Sequence, residues 1–371
     1  MNILCLDQFG ELGGAQRCLL DLMPAMAGRG WGIHLAAPIG QLAEKAAAMG
    51  ATVDPIRCGP YSSGKKTLTD MARFAAETPR LSGAIRGLAA RYNTDLIYVN
   101  GPRLLPAVAL YAVSRAGTRP RVLFHSHSLL SGNALRLTGR ALAMAHAAVV
   151  ASCRFVAAPL SPYCGGRGPL VVYNGVRQMP LRSRPETGEF RIGTIGRISP
   201  EKGQADLLRA ARILHKTAPQ CRFLICGAPL FSNPAAMRYG AELAALAEDL
   251  PVEFTGWTED VEGVLATLDL LVVPSTTVDA TPRVILEGFA AGVPVLAFAS
   301  GGIPEIVEHG VTGFLVEDHS PKALAAALQD VLREPDRLRE VAANARAKAR
   351  TEFSLERYQA QTIETIEAAL V

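Results

Sequence analysis

Short apolar runs alternate with longer amphipathic stretches from one end of the chain to the other. Apolar runs of about 4–8 residues are typical of buried strands, and an apolar position every third or fourth residue is typical of helices. The alternation therefore predicts repeated strand–helix units built around parallel sheets. Strands are predicted at residues 3–6, 33–36, 96–99, 122–124 and 147–150 in the first half, and at 191–195, 222–226, 252–255, 270–273, 293–298 and 314–316 in the second half.

The series of strands is interrupted once, near the middle of the chain. Tyr173-Asn174-Gly175 is a turn signal, and a stretch rich in Pro, Arg and Ser follows it. We expect a linker at 179–189 between doubly wound domains at 1–178 and 190–352, and a last helix at 353–371. The chain has 371 residues, which is long enough for two domains with a core each. Doubly wound sheets bind ligands beyond the carboxyl ends of their strands, so the expected site is a cleft between the two domains.

Composition narrows the class of protein. Hydrophobic residues make up 49% of the chain, which excludes a disordered protein. No apolar stretch approaches the roughly 18–20 residues of a spanning helix, and the apolar start meets Asp7 before a signal sequence could form. We expect a cytoplasmic protein, at most peripheral at the inner face of a membrane. The seven cysteines are scattered without a Cys-x-x-Cys motif, which argues against disulfides and against zinc.

The net charge of +4 is unevenly distributed. Residues 1–178 carry 19 Lys and Arg against 8 Asp and Glu, a net of +11, and the remainder has a net of −7. A field of that sign could steer an anionic partner, such as a phospholipid surface or a phosphorylated acceptor. Arg136 and Arg140 lie one turn apart on a helix predicted at 135–145, which could rest on anionic lipid. The alternative is that these arginines are simply solvated.

Two carboxylates flank the start of a predicted helix in the stretch Asp-Ala-Thr-Pro-Arg-Val-Ile-Leu-Glu, residues 279–287. Thr281 is a suitable N-cap and Pro282 suits the first helical position, so the N–H groups of residues 281–283 should point out of the helix end. Such an end attracts anions and sugar oxygens. With Asp279 outside the helix and Glu287 inside it, the stretch would suit a nucleotide sugar. The alternative is an Asp in a surface turn and a solvated helix Glu.

Cations and glycines occupy two other strand-to-helix loops. Arg197 and Lys202 lie in Gly-Arg-Ile-Ser-Pro-Glu-Lys-Gly, residues 196–203, where they could neutralise a diphosphate or be exposed loop cations. Gly13 and Gly14 lie between the first strand and the first helix, where glycines let a backbone approach a phosphate. Gln16 could touch a ligand there or simply begin the helix. The loop is not the Gly-x-Gly-x-x-Gly of dinucleotide sites.

Two further places in the sequence are candidates. His125 and His127 end a predicted strand, and alternation along the strand puts both on one face. A zinc site would need ligands that the sequence does not offer. Gly256 and Trp257 follow another predicted strand, and the indole could flank a base or be packed in a core.

These motifs resemble those of the family 4 retaining glycosyltransferases, which have the GT-B fold of two Rossmann-like domains facing across a cleft. The Glu-x7-Glu motif is matched with Asp279 in place of the first Glu. The Gly-Arg…Lys-Gly signature is matched without a gap, and Ser128 stands where an acid commonly follows the family's His. The resemblance implies a final helix that crosses back to the first domain.

The resemblance also implies a role for each site residue. Asp279 would contact hydroxyls of the transferred sugar, Glu287 the ribose, and Arg197 and Lys202 the diphosphate. His127 would lie near the reacting centre. The remaining implied contacts to donor or acceptor fall on Gly13, Gly14, Gln16, Gly256, Trp257, Thr281, Pro282 and Arg283.

The implied reaction is transfer of a sugar from a UDP- or GDP-linked donor to a hydroxyl of an acceptor sugar or lipid-linked sugar. It would proceed with retention and without a metal or other cofactor, in the synthesis of cell-surface polysaccharide, lipopolysaccharide or glycolipid. No nucleic acid partner is expected. One alternative is an inactive nucleotide-sugar binding protein. Another is a retaining glycoside hydrolase, which needs carboxyl groups about 5 Å apart, whereas eight largely helical residues rise on the order of 10 Å.

Overall fold

A computed structural model of the chain describes residues 1–59, 67–114, 120–181, 188–229, 234–276 and 279–370. The chain divides into two compact units. The N-terminal unit comprises Met1–Asn174 and Glu356–Val371, and the C-terminal unit comprises Gly175–Leu355. Residues 182–187 of the predicted linker lie outside the described residues.

The N-terminal unit contains a parallel seven-stranded sheet. Its strands are β1 (Asn2–Leu6), β2 (Gly32–Ala37), β3 (Thr52–Pro55), β4 (Leu96–Val99), β5 (Arg121–Ser126), β6 (Ala148–Ala151) and β7 (Leu170–Val171). The order across the sheet is β3-β2-β1-β4-β5-β6-β7, so the chain begins in the middle and winds outward in both directions. The helices between the strands are α1 (Gly14–Gly28), α2 (Gln41–Ala48), α3 (Leu68–Arg91), α4 (Leu105–Ser114), α5 (Gly132–Ala145) and α6 (Arg154–Ala157).

The central strands of this sheet are apolar because parallel strands are covered on both faces. Leu4 and Leu6 of β1 belong to one buried cluster with Val99, Phe124 and Ile85 of α3. All five side chains are fully buried. Burial of a side chain of this size contributes roughly 1.5–3 kcal/mol. The ends of β1, β4 and β5 are therefore fixed by a well-packed core.

The C-terminal unit contains a parallel six-stranded sheet. Its strands are β8 (Phe190–Ile195), β9 (Cys221–Cys226), β10 (Val252–Gly256), β11 (Leu270–Val273), β12 (Val295–Phe298) and β13 (Phe314–Val316). The order β10-β9-β8-β11-β12-β13 repeats the doubly wound arrangement. The helices are α7 (Gln204–Leu214), α8 (Pro234–Leu246), α9 (Val261–Ala266), α10 (Arg283–Ala291), α11 (Ile303–Ile306), α12 (Pro321–Arg333) and α13 (Pro335–Thr351).

The last helix, α14 (Leu355–Leu370), belongs almost entirely to the N-terminal unit. The Tyr358 hydroxyl donates a hydrogen bond to the Cys18 carbonyl oxygen at 3.1 Å, and Gln359 Nε2 donates to the Asp21 carbonyl oxygen at 2.6 Å. Tyr358 is also among the largest fully buried side chains. Helix α14 is thus tied to α1 by buried contacts and by hydrogen bonds to its backbone.

The eleven predicted strands are all present, and their ends agree with the structure to within two residues. Strands β3 and β7 were not predicted. β3 contains Asp54 and Pro55, and β7 has only two residues. Both lie at edges of the sheet, where a strand is only partly covered and tolerates Pro and polar residues. Within the described residues, no helix combines the length and the apolarity that a membrane span requires.

Candidate active site

The loop between β8 and α7 carries Arg197 and Lys202 of the C-terminal unit. Lys202 ends a 3-10 turn, and Gly203 after it has a φ of +69°. A Cβ at Gly203 would lie 1.8 Å from the Pro274 carbonyl oxygen, so only glycine fits there. The loop is also tied to the end of β11 by a hydrogen bond from the Thr276 N–H to the Glu201 carbonyl oxygen at 3.1 Å. Lys202 is therefore held against the loop that follows β11.

Asp279 lies on that second loop and is paired with Lys202. Lys202 Nζ is 2.5 Å from Asp279 Oδ2, and Ser275 Oγ donates to the same oxygen at 2.9 Å. The Lys202 and Asp279 side chains are 28% and 19% exposed. The family resemblance assigns these two charges to different parts of a donor. In the structure they neutralise each other.

The Gly301-Gly302 turn holds the backbone of Asp279. The Gly302 N–H donates to the Asp279 carbonyl oxygen at 2.8 Å. Gly301 has a φ of +59°, and a Cβ there would lie 2.0 Å from the same oxygen. The two glycines thus allow the turn to pass closely over Asp279. They fix the position of the Asp279 backbone and so the point from which its side chain extends.

Helix α10 begins at Arg283, so the predicted N-cap at Thr281 is wrong. Pro282 occupies the N-cap position with a φ of −57° and a ψ of 115°, and no side chain caps the helix. A residue before proline is disfavoured from the helical region, which agrees with Thr281 lying outside the helix, and Pro282 has no N–H to present. The N–H groups at this helix end therefore belong to residues from Arg283 onward. Thr281 itself is buried, with 7% of its surface exposed.

Glu287 is buried within α10 and lies beside Arg283. Arg283 Nε is 3.6 Å from Glu287 Oε1, and the two side chains are 16% and 12% exposed. A solvated helix glutamate, the alternative from the sequence, is excluded by this burial. Arg197 is likewise beside a carboxylate, since its Nη2 contacts Glu201 Oε1. Lys202, Arg197 and Arg283 thus each have an acidic neighbour that a ligand phosphate could replace.

Three polar residues come directly after three neighbouring strands of the N-terminal unit. Asp7 follows β1, Asn100 follows β4, and His127 follows β5. Asn100 Nδ2 donates to Asp7 Oδ2 at 2.6 Å, and His127 Nε2 lies 2.9 Å from Asn100 Oδ1. The sequence reasoning selected His127 but missed Asp7 and Asn100. A polar residue immediately after a buried strand is the signal that could have found them.

Asp7 also connects this group to the glycine loop. Gln16 Nε2 donates to Asp7 at 2.9 Å and 3.0 Å, to Oδ1 and Oδ2 respectively. Gln16 Oε1 accepts the Gly13 N–H at 3.1 Å. Both ends of the Gln16 amide are thus used inside the unit. Gly14 is the first residue of α1, with open space where a Cβ would be.

Burial dominates the electrostatics around Asp7. Asp7 is fully buried, and desolvation raises its pKa to about 6 against the hydrogen bonds from Asn100, Phe9, Gln16 and Gln8, which lower it. His125 is also fully buried, and burial together with the neighbouring His127 lowers its pKa well below the usual value. The site thus combines an ionisable carboxyl with a neutral imidazole.

The two histidines lie on one face, as predicted. Their ring centroids are 3.9 Å apart. His125 Nδ1 and the Tyr98 hydroxyl are hydrogen-bonded at 2.5 Å. His125 is therefore part of the core behind His127.

Gly256 and Trp257 lie at the end of β10, an edge strand of the C-terminal unit. Gly256 has a φ of +72°, and Trp257 is 39% exposed. The indole is therefore not a core side chain. In the described part of the chain, no group of three or more His, Cys, Asp or Glu residues is arranged to hold a metal ion.

Sequence comparisons assign both halves of the chain. A family model described as Glycosyltransferase Family 4 matches residues 12–178, and one described as Glycosyl transferases group 1 matches residues 179–348. The chain belongs to the family 4 glycosyltransferases. Its two Rossmann-like units are those of the GT-B fold of this family, as the sequence predicts.

Curated glycosyltransferases are similar to this chain over part of their length. The D-inositol 3-phosphate glycosyltransferase of Thermobispora bispora is 36% identical over 158 residues, which cover 41% of this chain and 37% of that protein. The amylovoran biosynthesis glycosyltransferase AmsK of Erwinia amylovora is 30% identical over 172 residues, which cover 44% and 41%. The chain therefore spans about two-fifths of the length of these relatives.

Solved structures match over nearly the whole chain. Anabaena Alr3699/HepE in complex with UDP and glucose is 26% identical, with a TM-score of 0.80 and coverage of 99% of each chain. Sucrose-phosphate synthase of Thermosynechococcus elongatus has a TM-score of 0.81 at 20% identity, covering 99% of this chain and 98% of that one. The second likeness concerns the fold alone.

Proposed function

We propose that this glycosyltransferase moves a hexose from a UDP-linked donor to a hydroxyl of an acceptor sugar or lipid-linked sugar, with retention and without a metal ion. The observation that carries the proposal is the Lys202–Asp279 pair beside the start of α10, where a cation, a carboxylate and a helix end converge. The Anabaena structures, similar over the whole chain, hold UDP, UDP-glucose and glucose, which supports a uridine donor.

Donor binding would exchange internal partners for ligand atoms. Lys202 would leave Asp279 for a diphosphate oxygen, and Arg197 would leave Glu201 for another. Asp279 would then accept hydrogen bonds from hydroxyls of the sugar, and Glu287 from the ribose. These exchanges cost little, because exposed or partly exposed ion pairs are worth about 1 kcal/mol or less, whereas a phosphate carries more charge than a carboxylate.

The chemical step would rest on stabilising the leaving diphosphate. Negative charge develops there as the bond to the sugar breaks, and Lys202, Arg197 and the N–H groups at the start of α10 are fixed positive groups of the kind that lowers such a barrier. We also propose that His127, Gly13 and Gly14 contact the substrates. Retention is a proposal from family resemblance, since the described residues offer no evident nucleophile.

A donor panel tests this function. The purified chain is incubated with UDP-glucose, UDP-galactose, GDP-mannose and simple glycosides, and released nucleotide and free sugar are measured, with EDTA present in a parallel series. Release of UDP that requires an acceptor and is unaffected by EDTA is expected, and NMR of the product reports the anomeric configuration. Nucleotide binding without turnover on any acceptor would favour an inactive binding protein, and sugar release from glycosides alone would favour a hydrolase.

The acceptor is proposed to belong to polysaccharide or glycolipid synthesis. AmsK is named for amylovoran biosynthesis, and another partial relative, from Corynebacterium glutamicum, is named a GDP-mannose-dependent monoacylated phosphatidylinositol monomannoside mannosyltransferase. A lipid-linked acceptor would bring the enzyme to a membrane surface.

Helix α5 is the part of the N-terminal unit proposed to meet that surface. Arg136 and Arg140 are exposed on it, together with Leu137 and Met144, which are 46% and 49% exposed. Arginines and apolar side chains on one helix face suit anionic lipid. Sedimentation with phosphatidylglycerol vesicles is expected to weaken in R136E/R140E but not in R333E/R339E, a matched charge change in the other unit. Equal sedimentation of the two variants would contradict this surface.

A further inference from the structure

The side chains that follow β1, β4 and β5 form one hydrogen-bonded chain, Asp7–Asn100–His127. We propose that Asn100 and Asp7 are positioning residues that hold His127 with its proton on Nε2, so that Nδ1 is the acceptor nitrogen. That this orientation of His127 serves sugar transfer rests on the proposed function, whereas the placement of its proton does not.

The orientation of the Asn100 amide is fixed from two sides. Its Nδ2 donates to Asp7 Oδ2 at 2.6 Å and to the Ala15 carbonyl oxygen at 3.2 Å. A carbonyl oxygen can only accept, so the NH₂ group must face Ala15 whatever the protonation state of Asp7. The remaining atom, Oδ1, therefore faces His127.

The proton on His127 follows from that orientation. Asn100 Oδ1 has no hydrogen, and it lies 2.9 Å from His127 Nε2. A hydrogen bond at this distance requires the ring nitrogen to be the donor. In a neutral imidazole the other nitrogen, Nδ1, then carries the lone pair.

Asp7 holds the network together because several donors converge on its carboxylate. Its carboxylate accepts from the Phe9 N–H at 2.9 Å, from Gln16 Nε2 and from Asn100 Nδ2. Gln16 is itself oriented by the Gly13 N–H on its Oε1. One buried carboxylate thus fixes both the amide that orients His127 and the side chain that closes the glycine loop.

The ring of His127 is also held by packing. The His125 ring is tilted by 32° against it, with the ring centroids 3.9 Å apart, and His125 is hydrogen-bonded to the Tyr98 hydroxyl. Position and hydrogen-bond orientation of His127 are therefore both set by its neighbours.

Histidine-selective ¹⁵N NMR tests the proposal on the intact, ligand-free chain. His127 is identified by the signal missing in H127Q, and its two ring nitrogens report directly which one carries the proton. The wild-type chain is expected to show Nε2 protonated and Nδ1 unprotonated near neutral pH. Asn100→Ala and Asp7→Ala are expected to give a mixture of tautomers. Asp70→Asn, a change at another buried carboxylate of the same unit, is expected to keep the wild-type signals.

Each outcome decides a part of the proposal. A wild-type proton on Nδ1, or wild-type signals in Asn100→Ala, would overturn it. If Asn100→Ala changes the signals of His127 but Asp7→Ala keeps those of the wild type, Asp7 is not a positioning residue. The wild-type measurement stands even where a variant does not fold. With UDP-glucose as donor, Asn100→Ala should turn over about tenfold more slowly. The expected tautomer without any turnover would contradict the proposed function and leave the positioning network standing.

Discussion

Lys202 and Asp279 form an ion pair, with Nζ 2.5 Å from Oδ2, although the family resemblance assigns one to the donor diphosphate and the other to the donor sugar. Ser275 supports the pair from the carboxylate side. The two residues expected to contact the donor are therefore in contact with each other. A donor has to separate the two side chains. Replacing Lys202 and replacing Asp279 should therefore change the affinity for UDP in opposite directions.

Replacing Lys202 should slow the reaction. Lys202→Met removes a charged contact worth roughly 1.5–3 kcal/mol, so turnover of UDP-glucose should fall by about one to two orders of magnitude. UDP should also bind more weakly by isothermal calorimetry. Lys216→Met, at an exposed lysine of the same unit, is the control and should leave both quantities unchanged. Unchanged turnover in Lys202→Met would remove this lysine from the proposed site.

Replacing Asp279 should separate binding from turnover. Asp279→Asn removes the partner that holds Lys202 and a negative charge near the diphosphate, so UDP should bind about three- to tenfold more tightly. Turnover should fall at least about tenfold, because an amide is a weaker acceptor for sugar hydroxyls. Calorimetry and a UDP-release assay measure the two effects. A variant that binds UDP more weakly would show that the carboxylate does not compete for Lys202.

Gly301 should tolerate alanine much less than another glycine with positive φ. Gly301→Ala places a Cβ 2.0 Å from the Asp279 carbonyl oxygen, whereas Gly310→Ala meets only the movable end of the Arg337 side chain, at 2.8 Å. Both pay roughly 1–2 kcal/mol for a left-handed alanine. Gly301→Ala should therefore show the lower thermal unfolding midpoint and weaker UDP binding. Similar midpoints for both variants would mean that the turn over Asp279 can move aside.

The sheets could be predicted from the sequence because parallel strands are continuous apolar runs. Leu96–Val99 and Leu270–Val273 are predicted to the residue, since both are buried along their whole length. β3 was missed because it lies at an edge and includes Asp54 and Pro55. A hydrophobic pattern thus predicts a strand that is buried along its length, and it misses a strand that is only half covered.

Individual residues of the site could be predicted from the sequence, but their contacts with one another could not. Motif spacing selects Arg197, Lys202 and Glu287, but no spacing reports that Lys202 reaches a residue 77 positions away. Helix signals placed the start of α10 one residue early, because Pro282 serves as the cap. Asp7 and Asn100 lie 93 positions apart and meet only through the strand order, which a single sequence does not show.

Stability should depend on pH through Asp7. Burial raises its folded pKa to about 6, from 3.8 in the unfolded chain, so the folded state binds the proton more tightly. The contribution of this proton to folding stability is fully present below the pKa of the unfolded chain. It is lost as the pH rises through the folded pKa of about 6. Asp7 should therefore make the wild-type chain less stable at pH 7 than at pH 4 by on the order of 2–3 kcal/mol.

Urea unfolding of the wild type and Asp7→Asn at pH 4 to 8 isolates this dependence, because other groups titrate alike in both. The difference between their free energies of unfolding should move in favour of Asp7→Asn as the pH rises. A constant difference would mean that Asp7 keeps an ordinary pKa despite its burial. Folding stability does not explain the presence of a buried carboxylate that makes the chain less stable at neutral pH. We therefore assign Asp7 to holding Asn100 and Gln16 in place.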